Sequence, residues 1–331
     1  MKTHRYAVTA AAVLAAFLVD LAFGVRAGAS LLPALLLALG MVQGALALAA
    51  AAELSRGRWI EPLREGLLDL HPLLVLGPLG FLAWARHLSL YGWDAAPNAW
   101  LNPPFFVGRN LALATLAWLL AGAFAGAVRK NSPRRGTWAV LYLLAFVFCQ
   151  SMAGFDWVMS FDYPWAGTLF GPYFFIEALY LGIGLAVLLA FKAARTGGTA
   201  LHPARKDAVT LLFGFSLLWA GQFFAQYLTI WYGNIPEEVD YLVKRFHMPG
   251  MGALGTAFLL MMFAVPFVVL ISRRAKETFV APAVVLVTWL GYLVEKVFML
   301  APSAPLDPAA LAVLTAILLV PAAVALRVRR S

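Results

Sequence analysis

The stretch YFFIEALY, residues 173–180, sets one carboxyl group between two phenols. Tyr173, Glu177 and Tyr180 are four and three residues apart, so on a helix they share one face. The residues that follow, LGIGLAVLLAF, are apolar throughout. A carboxyl group in such surroundings has two uses. It can stay protonated and hydrogen-bond to neighbouring helices, or it can take up and release a proton as one station of a relay. An ionisable side chain in hydrocarbon costs about 2.5–3.5 kcal/mol on insertion scales, so each one needs a reason. At a rise of about 1.5 Å per residue, Glu177 is expected about 15 Å into its apolar segment, near the middle.

Other polar residues interrupt apolar runs. Gln222, Gln226 and Thr229 share a face of the segment 208–232, a pattern of interhelical hydrogen bonding or of a polar path. Glu295 and Lys296 fall in the last third of 279–300. Neighbours on a helix point about 100° apart, so these two need not pair. Lys296 is expected to snorkel outward, which leaves Glu295 as the candidate. Asp156 in GFDWVMSFD and Asp20 lie towards the ends of their segments and are expected at the membrane interface. Asp69 and His71, in LLDLHP, open the segment 67–88. They form either a titratable pair at its mouth or a solvated helix start with Pro72 in the first turn. Histidine changes charge between about pH 5 and 8, which suits the first reading. The candidates for a proton path are therefore Glu177, Tyr173, Tyr180, Asp69, His71, Asp156, Glu295, Gln222 and Gln226.

Several chemistries are excluded by residue type. Membrane b-type haem needs axial histidines from facing helices. Only His71 and His87 lie in or beside an apolar segment, and it is the same one; His4, His202 and His247 lie in connectors or tails. The single cysteine, Cys149, cannot form an intramolecular disulfide. Nor can it hold an iron–sulfur cluster, which usually takes four thiolates; a small core residue is expected. No Walker-type Gly-Lys-Ser/Thr loop and no His-Glu-x-x-His pattern occurs. The chain is expected to bind no redox cofactor itself.

The elements that must position these residues follow from composition. Of 331 residues, 63% are apolar and 12% charged, and the mean hydropathy is +0.82. Soluble domains run at about 45–50% apolar and about 25% charged. A hydrocarbon core about 30 Å thick needs about 20 apolar residues per helix. Ten such segments are expected: 7–25, 31–52, 67–88, 105–128, 137–159, 167–191, 208–232, 250–272, 279–300 and 308–326. The connectors are short, as in NSPRRG and RTGGTALHPARK, so residues 1–331 read as one polytopic all-α membrane domain.

The net charge of +9 would suggest nucleic acid in a soluble protein, but here the basic residues sit in connectors. On the side of the N-terminus lie Lys2, Arg5, Arg56, Arg58, Arg64, Arg129, Lys130, Arg134, Arg135, Lys192, Arg195, Arg205, Lys206, Arg273, Arg274, Lys276, Arg327, Arg329 and Arg330. The other side has Arg26, Arg86, Arg109, Lys244 and Arg245. This asymmetry predicts both termini in the cytoplasm and an even number of spans. The first apolar run is longer than a usual signal core of about 7–15 residues, so it is expected to remain as the first span.

Two phrases, FDWVMSFDYPWAGTLFGPYFF at 155–175 and QYLTIWYGNIPEE at 226–238, resemble the F subunit of bacterial alternative complex III, a quinol-oxidising respiratory assembly. The stretch RKDAVTLLFGFSLLWAGQFFAQ is similar to that family as well. The resemblance is strongest from about 139 to 245. It implies a fold like that of polysulfide-reductase and nitrite-reductase type membrane subunits. In that fold two four-helix bundles, here spans 2–5 and 6–9, are flanked by spans 1 and 10. It further implies a bacterial inner-membrane location, a paralogous membrane subunit as partner, and haem c and iron–sulfur groups held by extracytoplasmic partner subunits. Quinol could be bound within the complex.

The external corner NIPEEVDY follows a belt of Trp231 and Tyr232, whose amphipathic rings suit the headgroup level. Asn234, Glu237 and Glu238 are candidates for docking redox partners, or else form a solvated turn that N-caps the next segment. A non-haem subunit that supports assembly and could carry protons is the favoured reading. The alternative is a stand-alone secondary transporter with a midplane carboxylate site. Against it, no span carries a Gly/Pro interruption near the midplane in both halves, the usual mark of such a site.

Overall fold

A computed structural model describes residues 2–197 and 202–327. Residues 198–201 of one connector, Arg329 and Arg330 lie outside the described residues, as do the side chains of Arg26, Arg195 and His202. Among the described residues the chain is all-helical, with ten helices long and apolar enough to cross a membrane. They are Thr3–Phe23, Gly28–Leu54, His71–Leu90, Pro103–Arg129, Arg135–Asp162, Phe170–Ala194, Pro203–Gly233, Met251–Leu270, Val280–Leu300 and Pro308–Leu326, called spans 1 to 10. Helices suit these stretches because a membrane helix satisfies every backbone polar group within its own segment.

The expected ten segments are all present, with ends displaced by a few residues. One displacement matters. Span 6 begins at Phe170, so Glu177 lies seven residues in, about 10 Å from that end and in the first third rather than at the middle.

Span 2 is apolar on all sides, and its central window is wholly buried, as expected for a helix with no solvent or lipid face. It packs most extensively along span 6 and also touches spans 1, 3, 5 and 10. The two helices approach through small residues. Gly40 and Gly44 of span 2 face Ala178 and Gly182 of span 6, a small-xxx-small pattern on both partners. Spans 3 and 4, 4 and 5, and 5 and 2 are in contact; so are 6 and 7, 7 and 8, 8 and 9, and 9 and 6. Spans 1 and 10 lie against each other and against span 2.

The spans are not all regular. Span 3 is α-helical only from Leu76 to Trp84, with 3₁₀ turns at His71–Val75 and Ala85–Leu90. Span 5 ends in a π turn, Gly154–Val158, and a 3₁₀ turn, Met159–Asp162. Span 8 carries a π turn at Leu260–Ala264. Its cause is Pro266, which has no N–H to give the carbonyl of Met262 four residues earlier. The Tyr180 hydroxyl donates to that carbonyl instead, at 2.9 Å.

A further helix, Pro236–His247, follows span 7 outside the spans. Asn234 has φ 46°, in the left-handed region where short polar side chains are tolerated, and there it ends span 7. The N-cap position is Ile235, with no side-chain cap, so Asn234 does not cap the new helix. Glu237 and Glu238 occupy the first turn and Lys244, Arg245 and His247 the last, which complements the helix dipole at both ends.

Candidate functional site

Glu177, Glu295 and Lys296 meet between spans 6 and 9. The Lys296 ammonium donates to Glu177 at 2.6 Å and to Glu295 at 3.2 Å, and the Tyr173 hydroxyl donates to Glu295. None of the three charged side chains is more than 1% exposed. The ammonium also lies over the rings of Phe174 and Tyr292, at 4.3 and 4.6 Å from their centroids. One expectation fails here: Lys296 does not snorkel. It pairs with its neighbour in sequence, which the helical spacing left open. A lysine stem is long enough to curl back beside the adjacent side chain, and the low dielectric makes two buried carboxyls the strongest partners within reach.

One ammonium cannot balance two carboxylates. With both ionised the trio carries one net negative charge, and with one protonated it is neutral. The site therefore has two charge states that differ by a proton. Oε1 of Glu177 is buried without a hydrogen-bond partner, and the Trp219 indole stands beside it. Towards the Ala194 end, Tyr180 is flanked by Ser216 and Thr288.

The chain could have disclosed Lys296 as a partner. It lies four residues from the end of span 9, about 6 Å deep, and Glu177 lies about 10 Å deep from the same face. That difference is within the reach of a lysine side chain.

The other candidates are placed differently. Asp156 is buried within the chain, six residues before the end of span 5. It accepts from Arg109 through both oxygens at 2.8 Å and from Asn110 at 2.7 Å. Arg109, read from the sequence as a connector charge, is stacked against Trp100, Phe105 and Phe106. This is a fixed ion pair in the first half of the chain, away from the trio. Asp20 is also buried, accepting from His87 at 2.8 Å, with Arg86 at 3.5 Å.

Asp69 pairs with Arg5 and Arg129 at the N-terminal face. His71 is buried with Nδ1 3.0 Å from the Leu68 carbonyl, so Nδ1 carries the proton when the ring is neutral. These two residues pack among spans 1, 3 and 4, and the structure does not bring them to Glu177. Gln43 of span 2 and Gln150 of span 5, which the sequence reading passed over, hydrogen-bond at 2.7 Å.

Gln222, Gln226 and Thr229 do not bond across helices. Thr229 donates to Ala225 of its own helix, and Gln222 is half-buried. Oε1 of Gln226 is buried without a partner. Gln226 lines two cavities. One, of about 40 Å³, is bordered also by Tyr173, Phe258, Ile230 and Tyr241. The other, of about 110 Å³, is bordered by Trp165, Thr168, Ile230 and Glu238.

The Pro236–His247 helix is pinned over this region by Arg245, another residue read as a surface charge. Its side chain is buried, donating to Asp162 at 2.8 Å, to the Tyr241 carbonyl at 2.7 Å and to the Met299 carbonyl. Ser303 donates to the second oxygen of Asp162 at 2.9 Å. Tyr241 stacks on Trp165, with centroids 3.9 Å apart. Burial pushes the Tyr241 phenol above its ordinary range and the Arg245 guanidinium pulls it down. The quoted phrase FDYPW thus supplies the seat of this helix. Glu237 stays exposed on it, as does Asn234 just before it, and Glu238 is half-buried at the cavity.

Cys149 is buried, its thiol facing the Leu113 carbonyl at 3.3 Å. Among the described residues, no three His, Cys, Asp or Glu side chains gather closely enough to hold a metal ion. No family model and no curated protein matches the chain.

Proposed function

We propose that this chain is a non-haem integral subunit of a quinol-oxidising respiratory complex of the alternative complex III type, in a bacterial inner membrane. It scaffolds the assembly and holds an exchangeable proton at Glu177, Lys296 and Glu295. The observation that carries the proton role is the trio itself: a buried cation set between two carboxyls, so that one proton decides its net charge. The likeness of residues 155–175 and 226–238 to the F subunit supports the respiratory assignment. The fold is proposed as two four-helix bundles, spans 2–5 and 6–9, flanked by spans 1 and 10. The closed rings of contacts within each set support it. Cytoplasmic termini are supported by the lysine and arginine asymmetry.

Affinity purification from native membranes tests the assembly. Polypeptides carrying c-type haem and iron–sulfur clusters are expected to co-purify, and a solitary chain would refute the reading. The proposed docking role of Asn234, Glu237 and Glu238 is tested in the same material. Glu237→Lys should weaken co-purification, and an undiminished yield would remove that role.

In a reconstituted complex, Glu177→Gln is expected to lower the number of protons moved per electron while leaving electron transfer in place. An unchanged ratio would end the relay role. Transport by the chain alone is the second reading, and the π turn in span 8 is the observation in its favour. A transporter's interruptions fall at corresponding positions in two halves, whereas this one occurs in the second half at mid-span.

A further inference from the structure

We infer that water reaches the charged trio from one face only, the face bearing the Pro236–His247 helix, through two cavities that meet at Gln226 and open beside Glu238. This rests on the proposed role of the trio and assigns its access route. Five observations place the route.

Tyr173, which donates to Glu295, lines the inner cavity, so one phenol stands between that cavity and the trio. Gln226 and Ile230 line both cavities, so the two adjoin there. Glu238 lines the outer cavity from the first turn of the extramembrane helix, so that cavity ends at the surface. Both cavities, of about 40 and 110 Å³, exceed the roughly 10–15 Å³ that a single water needs. The buried Oε1 of Gln226 has no protein donor and is an acceptor such a water can use.

The opposite direction is closed by chemistry. Beyond the trio the buried hydroxyls are Tyr180, Ser216 and Thr288. Each donates to a main-chain carbonyl, of Met262, Phe213 and Val284 respectively. Past them the core is Leu185, Leu212, Ala281 and Val285, all buried and apolar. A water file has no polar lining there.

The chain contains one cysteine, so accessibility can be read by thiol labelling in a Cys149→Ala background. Single substitutions Gln226→Cys, Ile230→Cys, Leu212→Cys and Tyr232→Cys would be made in the full complex. Right-side-out and inverted membrane vesicles would then be treated with impermeant charged methanethiosulfonates. Tyr232 is 83% exposed and reports which vesicles present its face. Gln226→Cys and Ile230→Cys are expected to react in the same vesicles as Tyr232→Cys, and Leu212→Cys in neither.

The cationic reagent should outpace the anionic one at Gln226→Cys, because Glu238 stands at the mouth. Adding Glu238→Gln should bring the two rates together. Reaction from the opposite face, or silence at both Gln226→Cys and Ile230→Cys while Tyr232→Cys reacts, would overturn the inference. Equal reagent rates before Glu238→Gln would remove Glu238 from the route. Labelling needs no electron transfer, so a null result for Glu177→Gln on proton stoichiometry leaves this outcome independent.

Discussion

Lys296→Met is expected to destabilise the protein by about 3–5 kcal/mol, the range found when one member of a buried ion pair is removed and its partner stays. The effect should lie at the upper end, because the lysine serves two carboxyls at 2.6 and 3.2 Å and none of the three is appreciably exposed. Without the ammonium, Glu177 and Glu295 must both be neutral or must repel each other in a region of low dielectric. Glu177→Gln should cost less, about 1.5–3 kcal/mol, since its amide oxygen can still accept from Lys296 and one carboxylate still balances the charge. The triple variant Glu177→Gln, Glu295→Gln, Lys296→Met should recover much of the loss, because no charge is then left without a partner. Thermal unfolding of the detergent-solubilised complex compares the three. A Lys296→Met protein as stable as the parent would mean that the trio is not held as a charged unit.

Gly44→Ala is the second large effect. A methyl group there would meet the Ala178 carbonyl, and one at Gly182 would meet the backbone of Gly44 and Ala45. Neither neighbour is a side chain that can rotate away, so spans 2 and 6 must separate. Overpacking costs about 1–3 kcal/mol where side chains can adjust, and here the upper end or beyond is expected. Gly40→Ala is the control. Its methyl would stand 3.1 Å from Cδ1 of Leu181, the end of a flexible chain, so the penalty should be small. Gln43 and Glu177 flank the Gly44 contact, so its separation should also loosen the Gln43–Gln150 and Glu177–Lys296 bonds. Unfolding midpoints and membrane abundance would decide. Equal losses at Gly40 and Gly44 would contradict backbone-to-backbone packing.

The spans were legible because apolar length is a property of sequence alone, and each of the ten expected segments overlaps a helix. Glu177, Tyr173 and Tyr180 could be grouped because helical spacing fixes a shared face. Lys296 was misread because snorkelling and pairing both satisfy a lysine, and only the depth of its partner on another helix selects between them. Asp156 and Arg245 were misread for a related reason. Position near a span end suggests water, yet their partners Arg109 and Asp162 are distant in sequence and bury both. The irregular turns divide in the same way. The π turn in span 8 follows from Pro266, which is visible in the chain. The Tyr180 hydroxyl that completes it comes from a helix some eighty residues earlier, and nothing local points to it.

That last pairing has a consequence for how span 8 tolerates change. A mid-helix proline is ordinarily a weak spot, but at 266 it liberates an oxygen that fastens span 8 to span 6 through Tyr180. Restoring an amide hydrogen at 266 would bring a second donor to that oxygen, and the phenol would no longer be its sole partner, with Ser216 and Thr288 still beside it. Proline and tyrosine thus form a matched set, the one freeing the oxygen that the other holds.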